Sequence, residues 1–266
     1  MSDEATAGGA AAEPAIQLHG VGVRFRVPNE PIRSFKEYLL RRLRGRIGRR
    51  DLWALRELDL DVPQGDFFGL VGTNGAGKST LLKVVCRIIR PTTGRVVVRG
   101  RVAPLLELSA GFHADLTGTE NIYLNAGLLG FPRAAVEPRF DEVVEFAELA
   151  DFIHVPIRNY STGMVARLGF AVASMFRPDI LILDEFLAVG DPGFQEKSLE
   201  RIKSFCSQGT TVILVSHSLE QVRENCRHVA WIEHGRLLET GPTVAVLEGY
   251  DRDLHHVDPA AAETGP

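Results

Sequence analysis

One short segment, Gly72 to Ser79, constrains the fold of this chain more than any other. It reads G-T-N-G-A-G-K-S, follows the apolar run Phe67–Val71 and precedes a stretch of helical spacing. Glycines let the backbone curl so that successive N–H groups point toward an anion, and the following helix adds its positive N-terminal end. The pattern predicts a loop that binds nucleotide phosphates, with Lys78 on the β- and γ-phosphates and the Ser79 hydroxyl on Mg²⁺. The residues predicted to contact the nucleotide here are Gly72, Thr73, Asn74, Gly75, Ala76, Gly77, Lys78, Ser79 and Thr80.

A glycine-rich turn that only caps a helix is the alternative, but here strand, loop and helix follow one another in register. The loop alone would suit a kinase, a GTPase or any ATPase, so the rest of the chain decides among them. The apolar run Ile180–Leu183 delivers two carboxylates, Asp184 and Glu185, at its C-terminal end, where ligands bind in open α/β sheets. We expect Asp184 to serve Mg²⁺ through water and Glu185 to polarise the attacking water as a general base. On their own, these two acids could simply cap the next segment.

Strand and helix patterns alternate along the 266 residues, which indicates the α/β class. A long helical stretch, about residues 112–176, interrupts the alternation and predicts a helical subdomain. We expect one ordered domain over residues 15–254, between a disordered N-terminus (1–14) and a flexible tail (255–266). No apolar run approaches the roughly 18 residues of a membrane span, and the N-terminal residues lack the features of a signal peptide. We therefore expect the chain to stay on the cytosolic side.

From about Ile16 to Leu254 the sequence resembles the ABC ATPase family. Tyr160-Ser161-Thr162-Gly163-Met164 is similar to the family's signature motif, although it departs from the common form LSGGQ. The resemblance implies that the Ser161 hydroxyl and the Gly163 N–H bind the γ-phosphate of ATP held by a second copy of the chain. It therefore implies a homodimer that hydrolyses ATP with Mg²⁺. The implied fold is a P-loop NTPase of the ABC type, with an antiparallel β subdomain and an α-helical subdomain.

The same resemblance implies roles for four more residues. Asp191 lies in a segment similar to the family's D-loop, and His217 follows an apolar run as the family's switch histidine does, in contact with the γ-phosphate. Phe25 stands where the family has an aromatic ring that stacks on adenine. No glutamine occurs in the region of the family's Q-loop, so Glu107 is the candidate for that position and for contact with Mg²⁺.

Several departures from the common family pattern resemble one branch, the exporters of O-antigen, teichoic acid and cell-wall galactan. They are Leu106–His113, Leu116–Asn121, the signature Tyr160–Met164, Val189–Gln195 and the inserted basic segment at about 31–50. The branch implies two copies of this chain beneath two copies of a polytopic membrane permease, at the cytoplasmic face of the cell membrane. Its substrate would be a lipid-linked glycan. The alternatives are a subunit of another ABC transporter, or a soluble ABC ATPase with no role in transport.

The inserted segment is strongly cationic in a chain of net charge −4, since Ile32–Arg50 carries eight basic residues and one acidic residue. Its apolar residues recur at helical spacing, which predicts an amphipathic helix. Such a helix suits the anionic membrane leaflet or a pyrophosphate lipid head group, and its interleaved apolar residues fit nucleic acid less well. A solvated surface helix is an equally good interpretation of the composition. Charge reversal at Arg41, Arg42 and Arg44 would separate the two, because only the membrane role predicts reduced transport with nearly unchanged basal ATP hydrolysis.

Overall fold

The structure is a computed structural model, and it describes residues 13–28, 49–105, 111–184, 191–216 and 218–256. The strands are β1 (Ile16–Pro28), β2 (Arg49–Val62), β3 (Phe67–Val71), β4 (Thr93–Val98), β5 (Val102–Leu105), β6 (Ile180–Asp184), β7 (Thr211–Val215), β8 (His228–Glu233) and β9 (Arg236–Pro242). The helices are α1 (Lys78–Val85), α2 (Gly118–Leu128), α3 (Arg133–Val136), α4 (Phe140–Ala147), α5 (Thr162–Ala173), α6 (Pro192–Ser207), α7 (Leu219–Asn225) and α8 (Thr243–His256). Two short 3₁₀ helices cover Glu137–Arg139 and Ile157–Asn159.

The strands form two sheets. A six-stranded sheet has the order β5-β6-β7-β3-β8-β9, and a three-stranded sheet has the order β2-β1-β4. Within the larger sheet β5 runs parallel to β6, whereas β8 and β9 form an antiparallel hairpin. Strands β3 and β7 are buried at every position, as expected for short apolar strands covered on both faces.

The chain divides into two compact units. The first takes in Asp61–Phe68 and Arg99–Leu214, and so contains β5, β6 and helices α2 to α6. Its helices α2, α4 and α5 bury a shared apolar cluster around Ile122, Val143 and Leu168. The second unit takes in Gln17–Leu60, Gly69–Val98 and the chain from Val215 onward, and so contains the three-stranded sheet, α1 and the β8–β9 hairpin.

Three predicted boundaries differ from the structure. The helical spacing after the loop predicts a helix over Lys78–Ile89, but helix α1 ends at Val85. Cys86 and Arg87 close it, the latter in the left-handed region with φ 59°. Arg49 and Arg50 begin strand β2 and so do not belong to a helical insert. Helix α8 extends to His256, so the first two residues of the predicted tail are helical.

Other predicted features lie outside the described residues. They are the N-terminal segment 1–12, the basic segment 31–48, Glu107, Glu185, His217 and the tail from residue 257. Among the helices that the structure describes, none is long and apolar enough to cross a membrane.

Candidate active site

The loop between β3 and α1 folds around three glycines with positive φ. Gly72, Gly75 and Gly77 have φ values of 146°, 82° and 111°, a region that other residues rarely adopt. A Cβ on Gly72 would overlap the Ile232 carbonyl oxygen, and one on Gly77 would lie 2.7 Å from the Ala54 carbonyl oxygen. A Cβ on Gly75 would lie more than 4 Å from every atom of the described residues beyond its two chain neighbours. The loop therefore requires glycine for close packing at its two ends and for backbone conformation in its middle.

Helix α1 presents its N-terminus at the end of this loop. Gly77 is the N-cap residue, and no side chain caps the helix there. Lys78 is buried, with 8% of its surface exposed. Its Nζ donates to the Gly72 carbonyl oxygen at 2.6 Å and to the Thr73 carbonyl oxygen at 3.0 Å. An uncapped helix N-terminus with a cation held beside it is suited to binding phosphate.

The β8–β9 hairpin holds the first half of the loop. The carboxylate of Glu233 accepts hydrogen bonds from the Thr73 hydroxyl and from the Thr73 N–H, the latter at 3.3 Å. The Gly235 N–H donates to the Ala76 carbonyl oxygen at 2.8 Å, and the Ala76 N–H donates to the Thr73 carbonyl oxygen at 3.1 Å. The N–H groups of Thr73 and Ala76 are therefore already engaged within the protein, so the loop N–H groups proposed to bind phosphate are those of the other residues.

Glu233 is ionised more readily than an ordinary glutamate. Burial opposes its ionisation, but the hydrogen bonds from Thr73, together with smaller effects of His234 and Trp231, hold its pKa below the usual value. The sequence suggested no role for Glu233. An acid beside a hairpin turn carries no local signal of a partner in a distant loop.

The remaining predicted residues of this loop and Phe25 are accessible to a ligand. Asn74, Gly75 and Ser79 are exposed, and Thr80 is half-buried in the first turn of α1. Phe25 lies in β1 with 37% of its surface exposed.

Asp184 is the last residue of β6, a strand that is otherwise fully buried. Its side chain is half-buried, at the C-terminal end of a strand that pairs in parallel with β5. Glu185 follows directly, outside the described residues. No group of three or more His, Cys, Asp or Glu side chains able to hold a metal occurs in the part of the chain that the structure describes. Mg²⁺ does not need such a group, because it binds one or two protein oxygens together with phosphate oxygens and water. The Asp184 carboxylate and the Ser79 hydroxyl are oxygen donors of this kind.

The predicted signature motif enters helix α5. Ser161 is the N-cap, and its Oγ accepts a hydrogen bond from the Met164 N–H at 3.2 Å. Among the described residues, a Cβ on Gly163 would meet only the Ser161 Oγ, at 3.8 Å. Ser161, Gly163 and Asp191 line one cavity of about 630 Å³. The structure therefore brings together three residues that the sequence assigned to two separate motifs.

Asp191 is the N-cap of α6, where its Oδ1 accepts from the Phe194 N–H at 3.1 Å. Its other carboxylate oxygen pairs with Arg167, a further residue of the cavity. The hydrogen bond from Arg167, with that from Phe194 behind it, lowers the pKa of Asp191. Sequence reasoning missed Arg167, although it stands four residues after Gly163 and so lies on the same face of the helix.

A glycine-rich loop that opens an uncapped helix, together with a carboxylate at the end of a buried parallel strand, defines a P-loop nucleoside triphosphatase. Residues 55–188 match the ABC transporter family. The chain belongs to that family, and it is an ATP-hydrolysing, nucleotide-binding subunit. The predicted α/β P-loop fold, the family and the ATPase activity are thereby confirmed.

Three relatives are named as ATP-binding proteins for export of O-antigen or teichoic acids. The chain is 50% identical over 207 residues to the O-antigen export system ATP-binding protein RfbB of Klebsiella pneumoniae, covering 78% of this chain and 84% of that protein. It is 45% identical over 236 residues to the O-antigen export system ATP-binding protein RfbB of Myxococcus xanthus, covering 88% and 54%. It is 41% identical over 202 residues to the teichoic acids export ATP-binding protein TagH of Listeria monocytogenes, covering 76% and 60%. The chain thus spans little more than half of the last two proteins, and the predicted resemblance to the polysaccharide exporters is confirmed.

Solved structures agree on the fold. The ATP-binding cassette MJ0796, a dimer in a post-hydrolysis state bound to ADP and Pi, superposes with a TM-score of 0.67 at 20% identity. The match covers 86% of this chain and 98% of that one. At this level of identity the likeness concerns the fold alone.

Proposed function

We propose that this chain is the ATP-hydrolysing subunit of an exporter that moves a lipid-linked polysaccharide across the cytoplasmic membrane. The observation that carries the proposal is the 50% identity to an O-antigen export ATP-binding protein over 84% of that protein's length. Two copies of the chain would work beneath two copies of a polytopic membrane permease, at the cytoplasmic face. The names of three relatives refer to export of O-antigen or of teichoic acids, which supports this substrate class.

Each copy would supply two half-sites to two ATP molecules. The loop Gly72–Thr80 would bind the phosphates of one ATP, where Lys78 would exchange its bonds with the Gly72 and Thr73 carbonyls for bonds with phosphate oxygens. Ser161 and Gly163 would contact the γ-phosphate of the ATP held by the second copy. Binding of ATP would therefore close the dimer, and hydrolysis would reopen it.

Three residues outside the described ranges complete the proposed chemistry. Glu185 would act as the general base toward the attacking water, and His217 would contact the γ-phosphate. The Ser79 hydroxyl and Asp184 would hold Mg²⁺, with Glu107 as a further candidate. The ion, when bound, would offset charge on the phosphate oxygens.

The test is replacement of the native chain by Lys78→Ala in the source organism, with surface polysaccharide and lipid-linked polysaccharide inside the cell both measured. We expect surface polysaccharide to fall and the lipid-linked form to accumulate in the cytoplasm. Lys83→Ala is the matched control, because Lys83 lies exposed on the same helix α1 and away from the loop. It should leave both quantities unchanged.

Normal surface polysaccharide in the Lys78→Ala strain, with ATP hydrolysis lost in the purified variant, would contradict the export function and leave the ATPase standing. Purification of the tagged native chain from detergent-solubilised membranes then identifies the complex. A polytopic membrane protein in equal amount is expected. Recovery of ribosomal proteins in its place would favour a soluble ABC ATPase.

A further inference from the structure

We infer that Arg167 is a positioning residue of the signature half-site, which neutralises two carboxylates so that the γ-phosphate of a second copy's ATP can enter. This inference rests on the two-copy ATP site of the proposed function. The cavity beside the signature motif contains two acidic side chains, whose negative charge would repel a phosphate. Besides Ser161 and Gly163 it is lined by Glu148 and Asp191.

Arg167 lies where it can act on this cavity. Gly163 and Arg167 are four residues apart on α5, so they share the helix face that lines the cavity. The Arg167 guanidinium donates one hydrogen bond to Glu148 Oε2 at 2.7 Å and another to Asp191 Oδ2. Its carbon Cζ also lies 5.2 Å from the centre of the Phe194 ring. Only 21% of the Arg167 side chain is exposed, so these contacts are held in place by packing.

The two carboxylates depend on Arg167 to different degrees. Glu148 also accepts a hydrogen bond from Lys197 Nζ at 3.1 Å, and that bond is the main reason its pKa is lowered. For Asp191, Arg167 is the cation that the described residues provide. Loss of Arg167 would therefore leave Asp191 uncompensated in the cavity that the partner's triphosphate has to approach. Like charges brought together in a partly desolvated site repel strongly.

Arg167 also fixes geometry. Its two bonds tie the C-terminal end of α4, where Glu148 follows Ala147, to the N-cap of α6. Both ends pack against the helix that carries the signature motif. The planar guanidinium can satisfy both carboxylates at once, which a lysine ammonium does less well.

The experiment measures ATP-dependent dimerisation by analytical ultracentrifugation, with ATPγS as the slowly hydrolysed nucleotide. We expect Arg167→Gln to raise the dissociation constant of the dimer about tenfold. Its nucleotide affinity as a monomer should stay native, because the phosphate loop belongs to the other compact unit. Arg167→Lys keeps the positive charge and should recover part of the loss.

Asp191→Asn distinguishes a charge effect of Arg167 from a purely structural one, because only the charge effect depends on the carboxylate at position 191. Asparagine remains a good N-cap, so the variant retains the start of α6 while removing the negative charge. When Arg167→Gln is added to Asp191→Asn, it should weaken the dimer by less than about threefold. The negative charge at position 191, which Arg167 neutralises in the native chain, is already absent there. An equal tenfold cost in both backgrounds would overturn the inference.

Arg201→Gln is the matched control. Arg201 donates two hydrogen bonds to Glu142 at 2.9 Å and lies 4.7 Å over the Phe146 ring, but it does not line the cavity. Its dimer affinity should stay within about twofold of native. If both Arg167 variants dimerise as tightly as the native chain, the role of Arg167 is wrong while the two-copy ATP site still stands. Failure of the native chain to dimerise with ATPγS would overturn the two-copy site and the inference together.

Discussion

The Thr73 hydroxyl donates a hydrogen bond to the Glu233 carboxylate, which joins the phosphate loop to a hairpin 160 residues away in the sequence. The Thr73 N–H donates to the same carboxylate. We expect Glu233→Ala to lower the free energy of unfolding by about 1–2 kcal/mol, since two hydrogen bonds to a charged group are lost. It should also weaken ATP binding, because the first half of the loop loses its anchor. Urea unfolding and nucleotide titration measure the two effects.

Glu239→Ala is the control for this variant, because Glu239 is an exposed acid on strand β9 of the same hairpin. It should change neither quantity. Equal effects of the two variants would show that the hairpin responds to any loss of charge and that the bond to Thr73 has no special importance.

The stabilisation from Glu233 should depend on pH with a definite sign. Its folded pKa lies below the ordinary value of 4.5, so the ionised form is favoured in the fold. The contribution is therefore complete above the unfolded pKa and is lost as the pH falls through the lower folded pKa. The difference in unfolding free energy between the native chain and Glu233→Ala should be constant between about pH 6 and about pH 8 and shrink in acid. A difference that changes near neutral pH would contradict the assignment.

Much of the fold could be predicted from the sequence because apolar runs and glycines are local signals. The apolar run Thr211–Val215 predicts a strand, and β7 occupies those residues. His234-Gly235 predicts a hairpin turn, and the turn between β8 and β9 lies there. The end of α1 could not be predicted in this way. Arg87 adopts the left-handed conformation there although it is not a glycine, and the Ile88 N–H bonds to the Lys83 carbonyl oxygen to close the helix.

The residues of the candidate site also differ in whether a local sequence pattern could reveal them. The phosphate loop and the signature motif are continuous in sequence, so their residue types could be recognised directly. Glu233 and Glu148 act through partners that are distant in the chain, and nothing in their own neighbourhoods predicts those partners. Arg167 is intermediate, because its spacing from Gly163 predicts a shared helix face but not its two carboxylate partners.

The glycines of the phosphate loop should differ in their tolerance of alanine. Gly72→Ala should destabilise the protein strongly and abolish ATP binding, because its Cβ would overlap the Ile232 carbonyl oxygen. The Cβ of Gly75→Ala would meet no described atom within 4 Å, so this variant should cost about 1 kcal/mol, for the positive φ. Denaturant unfolding of the two variants measures the difference, and similar costs would mean that the loop can relax around Gly72.

The Ser161 side chain has a structural role and a proposed role in binding the γ-phosphate, and substitutions can separate the two. Ser161→Ala removes the cap of α5 and should cost about 1 kcal/mol of stability as well as ATPase activity. Ser161→Asp keeps a good N-cap, so stability should be retained, but its carboxylate would repel the γ-phosphate and activity should fall at least about tenfold.

Thr117→Ala is the control for loss of a cap, because Thr117 belongs to the capping box of α2. It should lose about 1 kcal/mol of stability and keep its ATPase activity. Full activity in Ser161→Asp would contradict the proposed contact with the γ-phosphate.

The hydrogen bonds of Lys78 and Thr73 mean that the phosphate loop is ordered before a nucleotide arrives. The conformational entropy of this segment is lost during folding, so it does not have to be lost again at each catalytic cycle. Association should therefore be rapid, and changes that loosen the loop, including changes in the distant β8–β9 turn, should alter mainly how long the nucleotide stays bound. If the loop binds ATP as proposed, we expect the residence time of the nucleotide to depend on the β8–β9 hairpin as well as on the loop itself.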